Sequence, residues 1–343
     1  MGVNLKALFD RRAIKIEDLS GKIIAIDSFN MIFQFLSTIR ARDGNLLKDS
    51  KGRVTSHLIG LFSRTTSLMN AGIKPIFVFD GVSPILKRKE QERRHLVKEQ
   101  AEQLYAGAVE AGNFLDMKKY AARTSRLNEE IIEDAKKLIS LLGLPVVEAP
   151  SEGEAQAAHI VKSGHAWAVA SQDYDSLVNG APKLIQNLSI SSKRKNPKTL
   201  AYTTLSPEII ELESNLKRLN INQEQLIMLS MLVGTDYNPG GIKGIGPKNA
   251  LKLVLEHKTP KELFEFVSWD KKSTIAWQDI WDTIKNMEVT DKYLISFAAI
   301  NELALKKFLV DERNFGVERV ESAIKNLVQK QEQKKQTGLS GFF

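Results

Sequence analysis

Seven acidic side chains stand out because their types and positions suit a shared chemical site. Three of them, Asp27, Asp80 and Asp173, each end or closely follow a short apolar run typical of a buried strand. Converging carboxylates repel one another and cannot all stay ionised unless cations neutralise them. We therefore predict a metal site formed by Asp27, Asp80, Glu152, Glu154, Asp173, Asp175 and Asp236.

The chemistry predicted for this acidic site is phosphodiester cleavage assisted by two Mg²⁺ ions. Hard divalent cations take oxygen ligands, and two of them about 4 Å apart activate water and stabilise the leaving oxygen. Neither histidine nor cysteine is among the seven residues, which argues against zinc. One alternative stays open, because Ser151 and Glu154 have the spacing of a capping box that would satisfy a backbone N–H.

Strands that alternate with helices would position these acids. Residues 22–27 and 74–80 are apolar runs that end in aspartate, and helices are predicted directly after Asp27 and at 55–70. We also predict a short helix and a turn within 1–20, a loop at 40–53, a helix at 127–142, strands at 145–149 and 167–170, a hairpin at 183–204, and mostly helices beyond 205. This alternation predicts a mainly parallel sheet whose strand ends form the site.

A basic, strongly helix-forming segment follows the second strand, at about residues 81–125. It is poorer in large apolar residues than its surroundings, so we predict an insertion that projects from the sheet. Lys87 and Arg94 lie two helical turns apart and share a face, from which they could stabilise charge on a scissile phosphate. The alternatives are a solvated charge run and a helix pair packed flat on the core.

A glycine-rich stretch, Gly-Ile-Lys-Gly-Ile-Gly-Pro-Lys at residues 241–248, predicts a hairpin between two helices. Its glycines allow close backbone approach, and Pro247 suits the first turn of a helix. Backbone N–H groups at such a helix N-terminus suit a DNA phosphate and read no bases. The alternative is a glycine-rich loop without a ligand.

The overall composition indicates a large globular protein that attracts polyanions. The chain has 343 residues, a net charge of +8, a pI near 9.3 and no cysteine. Nucleic acid is therefore the first partner to consider, whereas disulfides and thiolate chemistry are excluded. We expect no membrane span, since no apolar run approaches the necessary length, and the N-terminal residues do not resemble a signal peptide.

The last residues, from about 329, are rich in Gln and Lys and are predicted to be disordered on their own. Apolar anchors at fixed offsets within them are typical of a peptide that docks in a partner's groove. The alternative is a terminus that folds back on its own core. The predicted anchors are Gln336, Leu339, Phe342 and Phe343.

Together these motifs resemble the flap endonuclease family of structure-specific 5′ nucleases over essentially the whole chain. The resemblance rests on the strand ends at Asp27 and Asp80, on Thr55-Ser56-His57-Leu58, on residues 149–157 and 171–175, and on the hairpin. It implies a PIN-like α/β nuclease core at 1–328 with a mainly parallel twisted sheet, a helical arch at 81–125 and a helix–three-turn–helix element at 224–262. The short C-terminus, 329–343, resembles archaeal rather than eukaryotic members.

The resemblance also implies a function and a role for each motif. The function would be endonucleolytic cleavage at the junction of a 5′ flap with duplex, and 5′–3′ exonuclease activity, in Okazaki fragment maturation and DNA repair. The seven acids would bind two Mg²⁺, or Mn²⁺ instead, while Lys87 and Arg94 support the transition state and the tail binds the sliding clamp PCNA. DNA contacts, with K⁺ at the hairpin, would come from Gly2, Phe33, Glu152, Gly234, Asp236, Gly244, Gly246 and Lys248.

One residue departs from the family pattern, since Phe33 stands where eukaryotic members have a tyrosine that stacks on a base. Stacking needs only the aromatic face, so it survives the change, while a hydroxyl hydrogen bond is lost. The resemblance implies a monomeric, cytoplasmic protein, or a nuclear one if eukaryotic. Two alternatives remain open: a non-catalytic DNA-junction binder, and another nuclease of the superfamily such as a 5′ exonuclease or junction resolvase.

Overall fold

The computed structural model describes the backbone of residues 2–188, 193–195 and 202–339. Within this part of the chain the strands form a seven-stranded sheet and a two-stranded one. The strands are β1 (Arg12–Ala13), β2 (Ile23–Asp27), β3 (Lys74–Phe79), β4 (Val146–Glu148), β5 (Ala168–Ala170), β6 (Lys183–Gln186), β7 (Lys193–Lys195), β8 (Tyr202–Thr204) and β9 (Glu208–Glu211).

Helices alternate with the strands in the first half of the chain and follow one another in the second. They are α1 (Ser28–Thr38), α2 (Ser56–Asn70), α3 (Arg88–Glu110), α4 (Phe114–Ala121), α5 (Glu129–Leu141), α6 (Gly153–Lys162), α7 (Asp175–Val178), α8 (Leu212–Leu219), α9 (Gln223–Val233), α10 (Pro247–Glu256), α11 (Pro260–Phe266), α12 (Trp269–Lys272), α13 (Trp277–Lys285), α14 (Glu302–Lys306) and α15 (Val317–Leu339). Short 3₁₀ turns lie at Ile16–Leu19 and Ile85–Lys87, and a π-helical turn at Lys307–Glu312 follows α14.

The larger sheet has the strand order β1–β9–β6–β5–β2–β3–β4, which confirms the mainly parallel α/β prediction. The five strands from β6 to β4 all pair in parallel. The chain leaves β2 towards β3 and β4 on one side and later returns to β5 on the other. This reversal creates a switch point between the carboxyl ends of β2 and β5, where open α/β sheets bind their ligands.

Helices cover both faces of the sheet, which explains why its central strands are apolar along their whole length. On β2, Ala25 faces one apolar core, while Ile24 and Ile26 face the other, as the two-residue period of a strand requires. The first core contains buried residues of α6, α7, α9 and α10. The second contains buried residues of α1, α2, α5 and α15, so the sheet edge that carries the strand ends stays accessible between two packed layers.

Two antiparallel strands at one end of the larger sheet, β9 and the edge strand β1, refine the sequence prediction. β9 pairs with β6 and β1 pairs with β9, so Glu208–Glu211 is a strand, although most of the described chain beyond 205 is helical as predicted. The predicted hairpin at 183–204 is wrong in part, because β6 belongs to the main sheet and only β7 and β8 pair separately. The short helix predicted within 1–20 is a 3₁₀ turn. Strands this short have too few residues to show a clear period, and pairing with a distant partner decides them.

The predicted insertion is present as the helix pair α3 and α4, referred to below as the arch. Of the 23 residues of α3, only Glu90, Ala101 and Ala108 are buried. The Tyr105 hydroxyl donates a hydrogen bond to the carbonyl of Asp43 (3.3 Å), which tethers the arch to the loop after α1. A helix with so little buried surface does not lie flat on the core, as the alternative prediction would require.

The C-terminal part of the chain folds back over the second core. Phe308 and Leu309 are fully buried there. Arg313 forms a buried bidentate ion pair with Asp134, with distances of 2.9 Å from Nε to Oδ2 and 2.5 Å from Nη2 to Oδ1. The last helix then packs against α2 and continues to Leu339, beyond the predicted start of the tail. In the described residues, no helix has the length and apolar character needed to cross a membrane.

Candidate active site

A cavity of about 550 Å³ opens between the carboxyl ends of the strands and the first turns of α3. All seven predicted acids line this cavity, together with Lys87, Arg94, Gly2 and Phe33. The tertiary structure therefore brings residues from six separate segments of sequence to one place, as a shared site requires.

The switch point of the sheet orients Asp27 and Asp173. Asp27 ends β2 and caps α1, since its Oδ1 accepts a hydrogen bond from the backbone N–H of Asn30 (3.0 Å). Its Oδ2 accepts another from the Ser171 hydroxyl (3.0 Å). The Asn30 amide in turn donates to Asp173 Oδ2 (3.0 Å). Each carboxylate thus keeps a defined direction because polar groups of the first helical turn and of the loop after β5 hold it.

A third acid, Asp80, is oriented by a backbone N–H at the start of α6. Asp80 follows β3, and its Oδ1 accepts a hydrogen bond from the backbone N–H of Gly153 (2.9 Å). A Cβ at position 153 would lie 2.5 Å from that oxygen, so only glycine permits this approach. Glu152 immediately precedes the helix and Glu154 is in its first turn. The Gly between two glutamates is therefore a steric requirement of the site.

The capping-box interpretation of Ser151 and Glu154 is wrong. The helix is preceded by Glu152, and no side chain caps it. The Ser151 hydroxyl instead donates to the carbonyl of Val82 (3.0 Å). Glu154 is half-buried among the other acids, and desolvation followed by repulsion from Asp175 raises its pKa well above the ordinary value.

Two cations of α3 and the turn before it point into the cavity. Lys87 Nζ lies 2.6 Å from Glu152 Oε2 and 3.3 Å from Asp236 Oδ2. Arg94 Nη2 lies 2.6 Å from Asp236 Oδ1. The attraction of Glu152 and Asp236 outweighs the cost of burial and raises the pKa of Lys87. The alternative of a solvated charge run is therefore wrong for these two residues.

The carboxylates carry more negative charge than their surroundings neutralise. Burial first, and then repulsion from Asp80, raises the pKa of Asp27 to about 7. Burial and repulsion from Asp173 raise the pKa of Asp175 to about 7, and burial and repulsion from Glu152 raise the pKa of Asp80 to about 6. These shifts are what a cluster of acids shows when its countercharge comes only from side chains.

The donor set fits hard divalent cations. Every one of the seven side chains offers carboxylate oxygens, the ligands such ions prefer, and added positive charge would relieve the repulsion just described. Among the described residues, no three His, Cys, Asp or Glu side chains surround a single point as ready ligands. Lys87 and Arg94 instead engage Glu152 and Asp236 in ion pairs and supply part of the countercharge.

The N-terminal residue described by the structure lies against the acids. A Cβ at Gly2 would fall 1.5 Å from Asp175 Oδ2, so a larger residue there would displace the Asp175 carboxylate. The next backbone N–H, that of Val3, donates to Asp175 Oδ1 (3.2 Å). Gly2 is thus at the site where the resemblance places it, and its contact with substrate stays a prediction.

The predicted hairpin is confirmed between α9 and α10. Gly234 has a φ of 116°, and a Cβ there would lie 2.6 Å from the nitrogen of Gly241. The Asn238 amide donates to the carbonyl of Met231 (2.6 Å) and braces the turn. Asp236, within the same turn, reaches the cavity. The exposed face carries Lys243, Gly244, Gly246 and Lys248.

Several cavity residues are missing from the sequence prediction. Asn30 and Ser171 orient the acids, while Lys98 and Arg123 line the wall. The Lys98 ammonium lies 5.3 Å from the centroid of the Phe33 ring. A signal existed for Asn30, which stands three residues after Asp27 at the spacing of a helix cap.

The predicted clamp-binding tail is described only in part. Gln336 and Leu339 lie on the backbone of α15, whereas Phe342 and Phe343 lie outside the described residues. Partner binding by these four residues stays a prediction from sequence.

The fold and the site together define a structure-specific nuclease. Residues 1–101 match the XPG N-terminal domain and residues 143–236 match the XPG I-region. The solved catalytic core of Rad2 in complex with DNA substrate shares the fold, with a TM-score of 0.67 and 23% identity over 92% of this chain and 96% of that one.

Closer relatives narrow this class to one family. A flap endonuclease 1 from Pyrococcus horikoshii is 49% identical over 100% of this chain and 98% of its own length. The solved flap endonuclease-1 from Methanococcus jannaschii is 40% identical, with a TM-score of 0.76, over 97% of this chain and 100% of that one. The chain belongs to the flap endonuclease 1 family, whose nucleases use divalent metal ions.

Proposed function

We propose that this protein is a 5′ flap endonuclease that hydrolyses a DNA phosphodiester bond near the junction of single strand and duplex. It leaves a 5′-phosphate and a 3′-hydroxyl and also acts as a 5′–3′ exonuclease. The observation that carries the proposal is one cavity lined by seven carboxylates, Lys87 and Arg94 at the base of a basic helical arch. Membership of the flap endonuclease 1 family supports it.

The seven carboxylates would hold two Mg²⁺ ions, for which Mn²⁺ can substitute. When bound, these ions supply an activated water and positive charge at the leaving oxygen. The choice of Mg²⁺ follows from the all-oxygen donor set, and K⁺ is proposed at the hairpin.

Lys87 and Arg94 have a role that depends on their present partners. Both are paired with acids of the cavity, Glu152 and Asp236. Once cations neutralise those acids, the ammonium and guanidinium groups can turn to the scissile phosphate and stabilise the charge that develops on it. Lys87, in the turn before α3, and Arg94, in α3, would lie between the acids and a strand that enters the arch.

The remaining residues would hold the substrate around the cut. Phe33 would stack on a base near the scissile phosphate, and Gly2, with Glu152 and Asp236, would contact the DNA at the same wall of the cavity. The hairpin, with Gly234 in its turn, would present Gly244, Gly246 and Lys248 to the backbone of the downstream duplex. Those last three residues are exposed, and a Cβ added at either glycine would meet no atom within 4 Å beyond its chain neighbours.

The cellular setting is proposed from the family. The protein would act as a monomer in the cytoplasm of an archaeal cell, in Okazaki fragment maturation and DNA repair. Its tail would dock on the sliding clamp PCNA through Gln336, Leu339, Phe342 and Phe343.

The proposal is tested with a 5′-labelled flap substrate, with Mg²⁺ or with EDTA. We expect cleavage only with Mg²⁺, and a loss of at least about 100-fold in Asp173→Ala and Glu154→Ala with flap binding retained. Asp279→Ala, at an exposed acid that does not line the cavity, should cleave like the wild type. Binding without cleavage by the wild type would instead favour a non-catalytic junction binder.

The substrate class is tested by comparing a 5′ flap, a nicked duplex and a four-way junction under single-turnover conditions. We expect the flap to be cleaved fastest, because the arch and the hairpin would engage its single strand and duplex together. Faster cleavage of the four-way junction would assign the protein to the junction-resolving branch of the superfamily.

A further inference from the structure

One acid outside the metal-binding set has an unusual environment. Glu90 is in the first turn of α3 and only 2% exposed, whereas its neighbours Arg88, Lys89, Gln91 and Glu92 are all exposed. Glutamate is almost never fully buried unless it is paired. The burial therefore points to specific partners rather than to a solvated helix start.

Those partners are two arginines on the same helix. Arg93 donates from Nε to Glu90 Oε2 and from Nη2 to Glu90 Oε1, each at 2.7 Å. Arg94 donates from Nε to Glu90 Oε1, also at 2.7 Å. Short bonds between ionised groups are about twice as strong as neutral ones, and the bidentate geometry fixes direction.

The contact with Arg94 leads directly into the cavity. Its Nε donates to Glu90 and its Nη2 donates to Asp236 Oδ1 at 2.6 Å, so one guanidinium joins Glu90 to an acid of the cavity. An arginine side chain free to rotate loses rotamer entropy when it engages a phosphate. A side chain already fixed at Nε has lost much of that freedom beforehand.

Glu90 stays ionised while it accepts the hydrogen bond from Arg94. Burial alone would raise the pKa of this carboxyl, but hydrogen bonds from Arg93 and Arg94 outweigh burial and lower its pKa. The hold on Arg94 is independent of Asp236, so it persists when a bound cation neutralises that acid.

We propose that Glu90 is a positioning residue that fixes the guanidinium of Arg94 towards the scissile phosphate. This inference rests on the proposed nuclease function and deepens it. A simpler role exists for an acid in a first helical turn, which is to favour the positive end of the helix dipole. That role needs neither burial nor contact with Arg94, and the two roles predict different outcomes.

The test is a double-mutant cycle measured by single-turnover flap cleavage with saturating Mg²⁺. We expect Glu90→Gln to lower the maximal cleavage rate about 10- to 100-fold, with the enzyme concentration for half-maximal rate changed less than about twofold. In an Arg94→Ala background the same substitution should cost no further rate, because its only route to the reaction is gone. Equal losses in both backgrounds, or no loss in either, would overturn the inference.

The matched control is Glu102→Gln, on the same helix and also paired with an arginine, Arg126 (3.0 Å), outside the cavity. This variant should keep the wild-type rate, and thermal denaturation shows whether all four proteins of the cycle are folded. A wild type that fails to cleave flaps would refute the proposed function. A wild type that cleaves, beside a Glu90→Gln variant of equal rate, would refute only the role of Glu90.

Discussion

At the residue scale, the acids of the cavity suit cation binding but lower the stability of the fold when no cation is bound. Asp27 serves both the fold and the site, since it caps α1 and accepts a hydrogen bond from Ser171 while it faces other carboxylates. The same crowding that suits cation binding destabilises the fold whenever the acids ionise without cations. The site is therefore a local cost in stability that the surrounding core offsets.

The pH dependence of native stability follows from the raised pKa values of these acids. Asp27, Asp175 and Asp80 have raised pKa values of about 7, 7 and 6. Between about pH 4 and pH 7 the unfolded chain loses protons that the native state keeps, so native stability falls as pH rises through this window. Above about pH 7 the native acids are ionised too, and native stability falls no further from this cause.

We therefore expect Asp27→Asn to raise the Tm of the metal-free protein at pH 8 by roughly 3 °C. An asparagine keeps the cap of α1 but removes one of the repelling charges. At pH 4.5, where the native acid is already protonated, the Tm should change by less than about 1 °C. The measurement is thermal denaturation in EDTA.

The control for this prediction is Asp279→Asn, which removes an exposed acid away from the cluster. It should leave the Tm unchanged at both pH values. A rise of equal size at pH 4.5 and pH 8 in Asp27→Asn would contradict the electrostatic explanation.

At the scale of elements, the hairpin separates residues that build a turn from residues that face a ligand. Gly241 has a φ of 59°, and a Cβ there would lie 2.2 Å from the carbonyl oxygen of Leu232. Gly246 has a φ of −85°, and a Cβ added there would meet no atom within 4 Å beyond its chain neighbours. The first glycine is needed by the fold, whereas the second leaves space at the N-terminus of α10.

This contrast predicts that one alanine substitution lowers stability and the other weakens duplex binding. Gly241→Ala should lower stability by at least about 2 kcal/mol, because its Cβ meets backbone atoms that cannot move aside. Gly246→Ala should change stability by less than about 1 kcal/mol and weaken duplex binding, because its methyl group would occupy the space of a phosphate. Urea denaturation and fluorescence anisotropy with a labelled duplex measure the two effects. Unchanged affinity of a folded Gly246→Ala variant would argue against backbone binding by the hairpin.

At the scale of the whole molecule, the two ends of the described chain lie in different parts of the fold. Gly2 lies in the cavity beside Asp175, while α15 packs against α2. The C-terminal segment is fastened before the tail begins, by the buried pair of Arg313 with Asp134. Changes in the tail are thereby separated from the nuclease core.

We expect the double variant Phe342→Ala with Phe343→Ala to lose stimulation by the sliding clamp and to keep its basal cleavage rate within about twofold. Aromatic anchors supply most of the binding energy of a docking peptide, so their loss should act on clamp binding rather than on cleavage itself. Flap cleavage with and without the clamp measures both quantities. Loss of basal activity would mean that the tail belongs to the folded core.

Much of the site could be read from local sequence because its acids follow strands. An apolar run that ends in aspartate identifies both the strand and the ligand, as at Asp27 and Asp80. Parallel strands then bring their carboxyl ends together whatever the rest of the chain does. The glycine-rich hairpin was equally readable, because a tight turn restricts residue type at several successive positions.

Other features depend on contacts between distant segments, which leave no local pattern. Lys87 pairs with Glu152, and Arg94 pairs with Asp236, across long stretches of sequence. The antiparallel pairing of β9 with β6 likewise depends on contacts that no local pattern encodes. Glu90 looks like any acid in a basic helix until folding buries it beneath two arginines. Sequence thus determined which groups enter the site, and tertiary structure decided which of them neutralise, orient or restrain one another, because electrostatic energy depends on distances that only the folded chain sets.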